Sequence, residues 1–106
     1  MRLPMVPPSC SLSDVERKEQ LHRYRAAGEG SELIESATRR RVVRVSSSVA
    51  EALTGRLNHV EQSCCRFLEM SWNQVSRCLT ISVPTDDQEP ALDAIGYSLG
   101  VGEAAP

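Results

Sequence analysis

Leu53, Leu57, Val60, Cys64 and Phe67 recur at intervals of four, three, four and three. That rhythm follows the turn of an α-helix and predicts one over about 48–65, apolar along a single face. Ser48 is placed to cap it, with Glu51 three residues on. Directly after the stripe the period falls from 3.6 to two. Phe67 to Trp72 sets Leu68, Met70 and Trp72 on one side of a strand. Asn73-Gln74 suits a tight turn, and Val75, Leu79, Ile81 and Val83 then alternate with Ser76, Cys78, Thr80 and Ser82. Alternation of that kind marks a half-buried strand, with Arg77 interrupting its apolar side. A one-faced helix followed by a one-faced hairpin must bury the two apolar faces against each other.

The flanks extend the same scheme. Ser13-Asp14-Val15-Glu16 has the form of a capping box, with acids suited to the first turn. The helix it opens is expected to reach about Ala27, with Gly28 and Gly30 beyond. Its apolar residues, Val15, Leu21, Tyr24, Ala26 and Ala27, make a ragged stripe, which predicts peripheral packing or a partner. Strands are expected at 32–36 and at about 41–47, the second rich in β-branched residues (Val42, Val43, Val45). After Pro84, Thr85 or Asp87 can cap a last helix carrying Leu92, Ile95 and Leu99. Pro90 fits its first turn and Gly100 its end. The order α-ββ-α-ββ-α predicts an α+β fold: a four-stranded antiparallel sheet from two β-hairpins, with helices on one face. The strand-then-helix pattern occurs twice, as in a degenerate repeat.

At 106 residues the chain suits a single domain, assigned to 11–100, between a flexible leader at 1–10 and a flexible tail at 101–106. The leader holds Pro4, Pro7 and Pro8 and lacks the apolar run of a secretory signal, so a cytoplasmic protein with reduced thiols is expected. No apolar run reaches the ~18 residues of a membrane span. With 12 Lys+Arg against 14 Asp+Glu, the net charge of −2 disfavours nucleic acid as a partner. Arg39-Arg40-Arg41 with Arg44 reads as a solvated hairpin end.

Chemistry is concentrated in the cysteines. Cys64 and Cys65 are adjacent, and adjacent cysteines pair with each other only under strain. They read as free thiols or ligands. On a helix they diverge by ~100°, Cys64 continuing the buried stripe and Cys65 at its border. The helix C-terminus opposes thiolate formation, whereas Arg66 favours it. Cys10, just before the first helix, can fold over the pair. Soft thiolates select soft ions such as copper(I), zinc, mercury and trivalent arsenic. Against this stands plain packing, since free cysteine is often a small buried hydrophobe. Cys78 falls on the polar side of its strand and reads as incidental, and His22 and His59 read as surface residues. Cys-x-x-Cys and His-x-x-x-His spacings are missing, as are nucleophile-elbow, P-loop and dinucleotide motifs.

The segment Glu61-Gln-Ser-Cys64-Cys65-Arg66-Phe67-Leu68 resembles a signature of small uncharacterised bacterial proteins: an acid, two residues, two cysteines, a proline, then two apolar residues. Cys10-Ser11-Leu12-Ser13 is similar to their cysteine before a first helix. The likeness spans roughly 10–99, and Arg66 stands where the group has proline. It implies Glu61, Cys64 and Cys65 as site residues, with Cys10 beside them. The expected function is a small thiol protein binding a soft metal or metalloid ion through the vicinal pair. Glu61 then serves as a supporting or proton-handling group. The alternative is a non-catalytic interaction module or homodimer whose cysteines are core. A thiol-exchange enzyme ranks last.

Overall fold

The computed structural model describes residues 13–64 and 67–101, and of Cys64 the backbone alone. The elements run α1 (Asp14–Ala27), β1 (Glu32–Ala37), β2 (Arg40–Arg44), α2 (Glu51–Cys64), β3 (Glu69–Asn73), β4 (Cys78–Ser82) and α3 (Glu89–Leu99). A single turn of 3-10 helix, Asp86–Gln88, leads into α3. The four strands form one antiparallel sheet in the order β1-β2-β4-β3. The fold is therefore α+β in the order α-ββ-α-ββ-α. The second strands of the two hairpins lie side by side and antiparallel, as a two-fold repeat of strand-strand-helix would place them. No described helix is long and apolar enough to cross a membrane.

Register decides which side chains meet the helices. Val43 opposes Leu79, Arg41 opposes Ile81, and Met70 opposes Ile81 from the other side. Val43, Leu79, Ile81 and Met70 thus share the inner face and join Leu57, Leu68, Leu92, Ile95 and Leu99 in one core. Each such side chain, fully withdrawn from water, stabilises the fold by roughly 1.5–3 kcal/mol before entropy is counted. Thr80, Cys78 and Ser82 point to the outer face and are half-buried. Leu33 and Ile34 on β1 stay exposed, and β1 carries a bulge between Leu33 and Glu35.

The first helix does not pack peripherally as its apolar residues suggested. It contacts both α2 and α3. Its buried face is Gln20, Tyr24 and Ala27, spaced four and three, while Val15 is exposed. At its start the capping box forms: Ser13 N–H donates to Glu16 Oε1 at 3.0 Å, and Glu16 N–H to Ser13 Oγ at 3.2 Å. The hydrogen bond from the Ser13 backbone, then that from its side chain, holds the Glu16 carboxyl below the ordinary carboxylate range.

Three local expectations need correction. Ser48 does not cap α2; it bonds to Ser46, its N–H reaching Ser46 Oγ at 3.2 Å, and the helix begins at Glu51. The second hairpin is not closed by two residues at Asn73-Gln74. Asn73 Oδ1 instead accepts from the N–H groups of Val75 and Ser76, so Val75 sits at the tip, 95% exposed, off the strand's apolar face. Neither Thr85 nor Asp87 caps α3, which starts at Glu89 with Pro90 in its first turn. Gly100 takes φ 82°, its N–H meets Tyr97 O and that of Val101 meets Gly96 O, so Val101 folds back on the core. Residues 1–12 and 102–106, which include the expected leader and the rest of the tail, lie outside the described residues.

Arg77 joins the two halves. It takes φ 58°, a left-handed conformation that costs a non-glycine residue about 1–2 kcal/mol. Its guanidinium donates to Val45 O, Ser46 O and Val49 O at 3.3, 2.7 and 2.6 Å. It also lies 5.6 Å from the centroid of the Trp72 ring. These bonds satisfy carbonyls in the β2–α2 loop and offset the backbone cost.

The arginine run is paired within the chain. Arg39 meets Asp86, Arg40 meets Glu35, Arg44 meets Glu32, and Arg41 meets Glu89 and Asp93. Only Arg41, with its side chain 11% exposed, is shielded enough for its ion pairs to matter much. It ties β2 to the first turns of α3, and its charge suits the acids there.

Two glycines separate steric need from mere tolerance. A Cβ on Gly28 would lie 1.8 Å from Leu99 O, so α1 and α3 approach through this residue. A Cβ on Gly55, within α2, meets nothing within 4 Å. Gly28→Ala is expected to lower stability to urea by about 1–3 kcal/mol by prising the helices apart. Gly55→Ala is expected to raise it by about 0.5–1 kcal/mol through helix propensity.

Candidate functional site

The region around the vicinal cysteines is built by two consecutive residues, Glu61 and Gln62, which reach in opposite directions. Glu61 is fully buried, at 0% exposure. Its Oε1 accepts from Gln20 Nε2 at 3.0 Å and from the Tyr24 hydroxyl at 2.9 Å. Gln20 Nε2 also reaches Leu57 O at 3.1 Å, and Gln20 Oε1 accepts from Arg23 at 2.7 Å. A buried carboxyl group is tolerable only when hydrogen-bonded, and α1 supplies both of these donors. Three polar residues thereby lie in the interface between α1 and α2 without loss.

Gln62 faces the sheet. Its Nε2 donates to Leu68 O at 2.8 Å, and its Oε1 accepts from Met70 N–H at 2.8 Å. Leu68 directly precedes β3 and Met70 lies on it, so one carboxamide satisfies two backbone groups at the start of an edge strand. The last turn of α2 is accordingly held to α1 by Glu61 and to β3 by Gln62.

The four expected site residues fare differently. Glu61 is placed in full. Cys64 is the last residue of α2, three positions after Glu61, and its backbone is described. Cys65 and Cys10 lie outside the described residues. Among the described residues no group of three His, Cys, Asp or Glu side chains is arranged to hold a metal ion. Cys78 is a free, half-buried thiol on β4, with its Sγ 3.6 Å from Ser76 O.

His59 is exposed on α2, in a groove of about 260 Å³ shared with Glu16, Glu19 and Arg23 of α1. Sequence reasoning missed Gln20, Tyr24, Gln62 and Arg77 as structural keys. Gln20, Tyr24 and Ala27 do carry helical spacing, but a glutamine is not scored as core until its acceptor is known. Compared with models of known protein families, with curated proteins and with solved structures, the chain matches none.

The Glu61 brace makes unequal demands on its members. Tyr24→Phe removes one donor and leaves Gln20 in place, and is expected to cost about 1 kcal/mol. Glu61→Ala removes the acceptor that Gln20 and Tyr24 share and is expected to cost more, on the order of 1–3 kcal/mol. Chemical denaturation followed by circular dichroism measures both.

Proposed function

We propose that this chain is a small thiol protein that captures a soft metal or metalloid ion with Cys64 and Cys65, assisted by Cys10. The observation that supports this reading is the double brace on the last turn of α2, through Glu61 to α1 and Gln62 to β3. A ligand pair gains affinity when the backbone beneath it is already fixed, because less ordering is left to binding. Glu61 acts here as a support for the thiol pair, its Oε1 bonded to Gln20 and Tyr24. The resemblance of the Glu61–Leu68 segment to an acid-x-x-Cys-Cys-Pro signature singles out the same Glu61, Cys64 and Cys65. The reading requires reduced thiols and hence a cytoplasmic setting.

Titration of the reduced protein with mercury(II) or arsenite, followed by native mass spectrometry, tests this. One ion per chain is expected, lost in the Cys64→Ser/Cys65→Ser variant and kept in Cys78→Ser. No adduct, or an adduct indifferent to the double substitution, would contradict it.

A second reading, an interaction module that pairs with another copy of itself, draws on β1. All six of its residues are exposed, Leu33 and Ile34 among them. Sedimentation of the reduced protein is then expected to show a dimer that Ile34→Lys dissociates. A monomer at high concentration removes this reading.

A further inference from the structure

Thr54, Asn58 and Gln62 stand one turn apart on α2 and form one ridge of polar side chains. Gln62, at one end, spends both amide atoms on the β3 backbone. The other two do not close in this way. Thr54 is 0% exposed, yet among the described residues its Oγ1 has no hydrogen-bond partner, and neither has the buried Oδ1 of Asn58. Buried polar atoms are almost always satisfied, so two orphans in successive turns of one helix ask for a common partner.

The chemistry of the pair defines that partner. Asn58 Oδ1 can only accept, so it needs a donor. The Thr54 hydroxyl can donate or accept. Side chains four apart on a helix have Cβ atoms about 5–6 Å from each other, a gap that one oxygen atom with two hydrogen bonds spans. A charged ligand is disfavoured in so buried a position, and an apolar one would leave both atoms unsatisfied. We infer that α2 carries an internal hydration site, in which one water molecule donates to Asn58 Oδ1 and bonds Thr54 Oγ1. Gln62 makes its polar contacts directly with β3; one and two turns earlier on the same ridge, the water supplies what the protein does not.

The site is independent of the thiol pair and is tested without it. Magnetisation transfer from water in NMR, combined with a high-resolution crystal structure, reads it directly. One long-lived water within hydrogen-bond distance of Thr54 Oγ1 and Asn58 Oδ1 is expected. Thr54→Ser keeps the hydroxyl and is expected to keep the water. Thr54→Val preserves shape, removes the hydroxyl, and is expected to lose the water's long residence. Should Thr54→Val fail to fold, the wild-type chain and Thr54→Ser still decide the matter. A wild-type crystal in which the two atoms bond to protein groups with no water between them overturns the inference. So does a water whose lifetime Thr54→Val leaves unchanged.

Discussion

The fold turns on a buried carboxyl group. Glu61 sits in the interface between α1 and α2, where an unmatched acid would be unstable. What makes it tolerable is that Gln20 and Tyr24 project from α1 at the right height to meet it. The contact is specific as apolar packing is not. Sliding α1 along α2 by one residue would keep much of the hydrophobic burial but break the hydrogen bonds that Gln20 and Tyr24 donate to Glu61. A polar cluster of this kind fixes the position of one helix on another, whereas the aliphatic core mainly fixes that they associate.

Other polar groups perform the same task at the remaining joints. Arg77 holds the β2–α2 loop against the second hairpin, and Arg41 ties β2 to the start of α3. Gln62 covers part of one sheet edge. Gly28 lets α1 reach the backbone of α3 at Leu99. The chain has 4% aromatic residues and so few large anchors. Side-chain hydrogen bonds to backbone carbonyls supply orientation that bulky rings supply elsewhere.

Much of the architecture was legible from periodicity. The stripe from Leu53 to Phe67, the alternation in 78–83 and the capping box at Ser13 each depend on local sequence, and each element formed. Failures came where a residue's role depended on a distant partner. The face of α1 looked ragged because two of its three buried residues, Gln20 and Tyr24, are polar and find their acceptor 41 and 37 positions away. Arg77 read as an interruption of a strand because its carbonyl acceptors lie about thirty residues back. Val75 was assigned to the strand's apolar side since alternation says nothing of how a side chain such as Asn73 lengthens a turn. At the candidate site, the sequence singled out Glu61 beside the thiols, and the structure accounts for its burial through the α1 donors.

The central claim is that the helix end bearing the vicinal cysteines is held rather than frayed. Amide hydrogen exchange on the native protein tests it most directly. Helix termini ordinarily open with little cost, far below the free energy of global unfolding. The account predicts that the Glu61 and Gln62 amides exchange about as slowly as those of Leu57, in the middle of α2. Exchange at these positions as fast as in an open helix end would contradict it.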